Sequence, residues 1–171
     1  YTRGEVQAVA DFVGDSLALS QKAAEANADI ILFAGVRFMA ETAKVLSPSK
    51  KVLIPVLEAG CSLADSCDAA DLARVKAENP DHLVVSYVNT SVEVKALPDI
   101  CCTSSNALNI IGMLPEDQKV LFVPDRNLGG YINKTLGRDM KLWDGACLVH
   151  EEFSAERIAE LREAHPAAKV V

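Results

Sequence analysis

Short apolar runs rich in Val, Ile and Leu recur at residues 30–33, 52–56, 83–88, 120–123 and 169–171, and segments with helical spacing lie between them. Strands that are apolar on both faces and alternate with helices predict parallel sheets covered by helices, the βαβ pattern. The spacing predicts helices over 17–27, 38–46, 68–78, 106–113 and 154–164. Asp15 or Ser16, and Ser154, are suited to N-cap two of them, and Pro48, Pro80, Pro115 and Pro166 mark helix exits.

The two halves of the chain resemble each other. Asp15-Ser16-Leu17-Ala18-Leu19 parallels Ser104-Ser105-Asn106-Ala107-Leu108. Each string is followed by a Leu-Phe pair (Leu32-Phe33, Leu121-Phe122), an arginine (Arg37, Arg126), and a cysteine after a small residue (Gly60-Cys61, Ala146-Cys147). The pattern reads as two α/β units, residues 1–80 carrying Cys61 and residues 81–171 carrying Cys147, with equivalent loops facing a shared centre.

Open α/β sheets bind ligands beyond the carboxyl ends of their strands, and both cysteines fall at such ends. Neither belongs to a Cys-x-x-Cys motif, which leaves a metal or cluster drawing one thiolate from each unit. Two thiolates alone do not hold a four-iron cubane, so a further ligand has to come from elsewhere. The competing reading of each cysteine is a small core hydrophobe. Cys67, near a helix start, and Cys101 and Cys102, which end an apolar run and read as buried packing, are the other thiols.

Polar residues at other strand ends form a second group. By alternation Tyr87 and Asn89 point to one side, where a phenol and an amide can hold a carboxylate or carbonyl. Gly14-Asp15-Ser16 and Cys102-Thr103-Ser104-Ser105-Asn106 place hydroxyls and backbone amides at helix starts, a setting for phosphate or carboxylate as well as for simple capping. Arg126 can meet an anion or pair locally with Asp125, the pairing being favoured; His150 can serve as a ligand or acid but fits a solvated helix start better, and His82 and His165 read as surface residues. No Walker loop, Gly-x-Gly-x-x-Gly or Gly-x-Ser-x-Gly elbow is present.

Charge and composition narrow the partners. A net charge of −7, with 17 basic residues scattered among 24 acidic ones, argues against a nucleic-acid surface. No apolar run approaches a membrane span, and nothing at the start resembles a secretory signal, so a cytoplasmic location is expected. Five cysteines, an odd number in a chain half hydrophobic, favour free thiols or metal ligands over a disulfide framework. Tyr1 in place of Met and the apolar final residues suggest a piece of a longer protein.

Several motifs in order, Ala10-Asp11-Phe12-Val13-Gly14-Asp15-Ser16, Gly35-Val36-Arg37-Phe38-Met39-Ala40-Glu41-Thr42-Ala43-Lys44, Ala59-Gly60-Cys61, Tyr87-Val88-Asn89-Thr90-Ser91, Cys102-Thr103-Ser104-Ser105-Asn106-Ala107 and Pro124-Asp125-Arg126-Asn127-Leu128-Gly129, resemble the quinolinate synthase family of NAD biosynthesis over essentially the whole chain. The resemblance implies three-layer α/β domains with parallel sheets repeated around a pseudo-threefold axis, two of the three being present here. It implies a [4Fe–4S] cluster with Cys61 and Cys147 as two of three ligands, and an open iron acting as a Lewis acid. It implies Tyr1 as an acid/base, Ser16 and Ser104 as contacts to phosphate or carboxylate, and Tyr87 and Asn89 as substrate holders. The reaction implied condenses iminoaspartate with dihydroxyacetone phosphate, and an upstream L-aspartate oxidase would supply the imine. The third cysteine, a His-Pro-Glu motif and a catalytic glutamate belong to the final domain, so this piece alone is not expected to turn over. Rival readings are a non-catalytic iron–sulfur redox or oxygen sensor, and a cysteine-nucleophile hydrolase with His150 as its base.

Overall fold

In the computed structural model, which describes residues 2–170, the chain alternates helices with short parallel strands. Its first half runs α1 (Gly4–Ala8), α2 (Ser16–Glu25), β1 (Ile30–Leu32), α3 (Arg37–Leu46), β2 (Lys51–Leu53), α4 (Ser62–Asp65) and α5 (Ala69–Glu78). The second runs β3 (Leu83–Tyr87), α6 (Val92–Lys95), β4 (Ile100–Cys102), α7 (Ala107–Met113), β5 (Val120–Val123), α8 (Arg126–Leu136), β6 (Lys141–Leu142), α9 (Leu148–Glu151) and α10 (Ala155–Ala164). The protein is mixed α/β with parallel sheets, as the apolar pattern predicts.

The larger sheet has the order β4-β3-β5-β6, with Val85 beside Ile100 and Val84 beside Leu121. Its two central strands are apolar on both faces because helices cover both. Val85, Val120 and Phe122 pack with Ala107, Ile111 and Ile132 of α7 and α8, while Val84, Leu121 and Val123 pack with Cys67, Leu72 and Val94 on the opposite face. Leu72 therefore carries α5 onto this second sheet, and fully burying such a side chain stabilises by about 1.5–3 kcal/mol.

The smaller sheet pairs β1 with β2, and a core of Ala23, Phe33, Ala40 and Ala43 lies on one side of it. Ile30 and Leu32 of β1 are exposed, so the prediction of helices on both faces is not met there among the described residues. The predicted strand over 52–56 is shorter, ending at Leu53 ahead of Pro55, which has no N–H to donate to a ladder. Lys169 and Val170 form no strand, and Val171 lies outside the described residues.

The internal repeat is visible bond by bond. The first amide of α3, Arg37, donates to the Ala59 carbonyl at 2.7 Å, and the first amide of α8, Arg126, donates to the Gly145 carbonyl at 2.8 Å; each acceptor precedes its cysteine by two residues. Each cysteine then N-caps a four-residue helix with extended backbone, ψ being 118° at both. Asp68 and Ser154, seven residues past their cysteines, accept backbone amides as N-caps of α5 and α10. Even the C-terminal capping repeats: Lys50 donates to the Ala23, Ala24 and Ala26 carbonyls at the end of α2, and Arg138 to the Ile111, Leu114, Pro115 and Glu116 carbonyls at the end of α7. The helix starts align one residue away from the string match: Leu19 N bonds the Asp15 carbonyl as Ala107 N bonds that of Thr103, which makes Ser16 equivalent to Ser104.

Equivalent positions differ in one respect. Leu63 and Cys67 are 2% and 3% exposed, Cys67 packing against the second sheet, whereas their counterparts Val149 and Phe153 are 63% and 70% exposed. Leu161 of α10 is likewise exposed, and α9 and α10 contain no buried residue.

Candidate functional site

Chain reversal sets the place of the site. From β3 the chain runs to β4 on one side and then crosses back past β3 to β5 on the other, so the carboxyl ends of β3 and β5 flank a topological switch point. Tyr87 ends β3, and the backbone continues in extended fashion, with Val88 N donating to the Cys102 carbonyl at 2.8 Å. Burial alternates through Ser86, Val88 and Thr90, leaving Tyr87 and Asn89 half-buried between them, in agreement with the predicted alternation. Asn89 Oδ1 is buried without a hydrogen-bond partner. A buried amide oxygen left unpaired costs about 1–3 kcal/mol, a debt that a ligand donor can settle.

The Tyr87 phenol draws the other groups together. Burial pushes its pKa up, Ser104 opposes through a side-chain hydrogen bond, and Asp125, Cys61 and Cys102 add to the rise. Tyr87 thus stays protonated well above neutral pH and is a donor to a carbonyl or carboxylate. Ser104 and Cys61 stand in its surroundings although they come from different halves of the chain.

Cys61 and Cys147 are both half-buried and free. The residues after them touch: the Leu148 amide donates to Ser62 Oγ at 3.3 Å. One further link crosses nearby, Trp143 Nε1 donating to the Ser66 carbonyl at 2.8 Å. Glu151 at the end of α9 accepts from Arg126 Nη2 at 2.9 Å and from Asn127 Nδ2 at 2.6 Å. These polar contacts hold the Cys147 helix, which has no buried side chain of its own. Beside Cys61 a cleft of about 260 Å³ opens, lined by Arg37, Glu41, Asp65, Ser91 and Glu93.

Other predicted site residues stand apart. Ser16 opens α2 half-buried, and none of the hydrogen bonds among the described residues joins it to Tyr87, Asn89 or a cysteine. Tyr1 lies outside the described residues. Cys67 and Cys102 are buried, and desolvation pushes both thiols up to about 12, which keeps them protonated packing groups. Cys101 corrects the expectation of burial: adjacent strand residues face opposite ways, so with Cys102 turned into the core Cys101 is exposed. Arg126 also departs from expectation, pairing with Asp144 at 2.8 Å and with Glu151, while Asp125 caps α8 through the Asn127 and Leu128 amides. His82, read as a surface residue, is half-buried on Asp81 at 2.8 Å. Among the described residues no three His, Cys, Asp or Glu side chains gather as a metal site, so the two cysteines are an incomplete donor set. No helix of the described residues is long and apolar enough to cross a membrane.

Sequence reasoning overlooked Glu41 and Lys95. Only Glu41 carried a local signal, its position one helical turn after Arg37.

Comparison with known proteins bears on the whole chain. A family model described as Quinolinate synthetase A protein matches residues 1–171. Proteins named quinolinate synthase are similar throughout: one from Microcystis aeruginosa is 57% identical over 171 residues, all of this chain and 54% of the relative. One from a Nostoc species is 57% identical over the full chain and 53% of its own length, and one from Thermosynechococcus vestitus is 58% identical, with 54% of its length covered. The chain spans about half the length of the curated relatives it matches.

Proposed function

The chain belongs to the quinolinate synthetase A family, and from that premise we propose that the complete protein is a quinolinate synthase of NAD biosynthesis. It condenses iminoaspartate with dihydroxyacetone phosphate, releasing one phosphate and two waters for each quinolinate. The observation that carries this reading is the grouping, at a sheet switch point, of a protonated, half-buried phenol, Tyr87, with Ser104, Cys61 and an unpartnered Asn89 oxygen.

A [4Fe–4S] cluster suits the two repeat-equivalent thiols, since half-buried cysteines at helix starts are apt ligands and the Ser62–Leu148 bond keeps their loops adjacent. Cys61 and Cys147 would hold it together with a ligand from the rest of the complete protein. When bound, a cluster held by three thiolates supplies an iron with an open position, a Lewis acid toward a hydroxyl or carboxylate.

The chain's own residues then bind and orient. Tyr87 donates from its phenol to a substrate carboxylate or carbonyl, and the Asn89 side chain supplies the amide that fixes the neighbouring group. Ser104, already next to the phenol, orients it and offers a hydroxyl to phosphate or carboxylate; Ser16, its repeat equivalent, and Tyr1, as acid/base, are assigned by family resemblance. We divide the chain into units 1–80 and 81–171. A third unit covers Val149, Phe153 and Leu161, as the second sheet covers Cys67 and Val75, the counterparts of Phe153 and Leu161, and so shields a labile imine from water. A cytoplasmic location and an upstream L-aspartate oxidase as imine source complete the proposal.

The test is quinolinate formation by the complete protein, purified anaerobically and given both substrates. Asn89→Ala is expected to lose about tenfold or more in kcat/KM, the scale of one lost hydrogen bond to a charged group. A wild type that forms no quinolinate defeats the reading.

A further inference from the structure

A polar device outside the residues already assigned sits where α3 meets the turn after β3. Lys95, the last residue of α6, donates from Nζ to the Thr90 carbonyl, and its ammonium lies 5.4 Å from the centroid of the Phe38 ring. Glu41, on the same helix as Phe38, accepts the Val92 amide through Oε2 at 2.9 Å and Arg37 Nε through Oε1 at 2.7 Å. Thr90 follows Asn89 directly in the chain, and Val92 lies two residues further on. Phe38 and Glu41 ride on the helix whose first amide bonds the Ala59 carbonyl, two residues before Cys61.

We propose that Lys95 and Glu41 form a positioning latch that holds the Tyr87–Ser91 turn in register with the Cys61 loop. This rests on the reading of Tyr87 and Asn89 as substrate holders. The two loops come from different halves of the chain, and within the turn Thr90 is fully buried, so a shift of its carbonyl carries Asn89 with it. Errors of about 1 Å in such placement cost roughly a hundredfold in rate.

Stability alone does not account for this lysine. Glu41 on α3, Glu93 on α6 and Cys101 on β4 face the ammonium and favour its charge, yet burial outweighs them and pulls Lys95 down to about 8. At neutral pH the group still carries its charge, but the fold holds that charge less easily than water does, the kind of local conflict found where position matters to function.

The discriminating experiment compares Lys95→Met and Lys95→Arg in the complete protein. Lys95→Met is expected to match or exceed the wild type in denaturant midpoint and to keep its iron content. It should nevertheless lose roughly tenfold to a hundredfold in kcat/KM, with faster hydrogen exchange at the Tyr87–Ser91 amides. Lys95→Arg, which keeps the charge and a donor, should recover most of both. Wild-type kcat/KM and exchange in Lys95→Met overturn the latch, as does a loss of activity that only follows a fall in stability. If the wild type itself makes no quinolinate, the site reading fails separately, and exchange at Tyr87–Ser91 alone decides the latch.

Discussion

Gly145 offers a sharp perturbation, because the loop bearing Cys147 passes there between both halves of the chain. A Cβ at this position would run into the Pro124 carbonyl oxygen and Ser66 Oγ. Neither yields easily: the first is backbone beside the Asp125–Gly145 bridge, and the second is held by its own bond to the Leu63 carbonyl at 2.7 Å. Overpacking of this kind costs about 1–3 kcal/mol. Displacing the Gly145 carbonyl also loosens the 2.8 Å bond from Arg126 N, adding about 1 kcal/mol. Gly145→Ala should therefore destabilise the complete protein by about 2–4 kcal/mol and raise the rate at which iodoacetamide alkylates Cys147 in the metal-free form. Gly130 provides the control: it lies inside α8 with nothing within 4 Å of a new Cβ, so Gly130→Ala should stabilise by about 0.5–1 kcal/mol. Denaturant titrations of the two variants decide the matter. A Gly145→Ala protein as stable as wild type, or a Gly130→Ala protein less stable than Gly145→Ala, would refute the steric argument.

Three further outcomes are expected. Gly129→Ala places its Cβ 2.6 Å from Leu142 Cδ2 and 3.0 Å from Phe122 Cδ1, and should lower stability by about 1–3 kcal/mol in the same titrations. Lys95 is lowered from 10.5 to about 8 in the folded protein, so between those pH values the unfolded chain binds more protons and stability rises with pH. The wild type should gain about 1–3 kcal/mol on Lys95→Met between pH 8 and 10, and a pH-independent gap would remove the desolvation argument. Tyr87→Phe should keep the visible absorbance of the cluster while quinolinate formation falls at least about tenfold; unchanged output would take Tyr87 out of the site.

The parts of the fold legible in the sequence are those with strong local signals. β3 and β5 read clearly because helices on both faces demand continuous apolar runs. β6, two residues long and beginning with Lys141, offered no period at all. At Cys101 and Cys102 the apolar composition suggested joint burial, but the pleat of β4 turns one outward. The two cysteine settings were readable from the repeat, as were Tyr87 and Asn89 from alternation. Tertiary partners were not. Asp125 and Arg126 looked like a neighbouring pair, yet Arg126 finds Asp144 and Glu151, 18 and 25 residues away, and frees Asp125 to cap its helix. The Glu41–Val92 bond spans 51 residues, a separation at which neither helical nor strand spacing carries information.

Cys61 and Cys147, one from each repeat, are proposed to ligate a single cluster. Iron, sulfide and visible absorbance measured on the complete protein, purified without oxygen as wild type, Cys61→Ser, Cys147→Ser and Cys101→Ser, address it directly. Four irons and a brown chromophore are expected in the wild type and in Cys101→Ser, and loss of both in the other two variants. Full iron content and an unaltered spectrum in Cys61→Ser and in Cys147→Ser would contradict it.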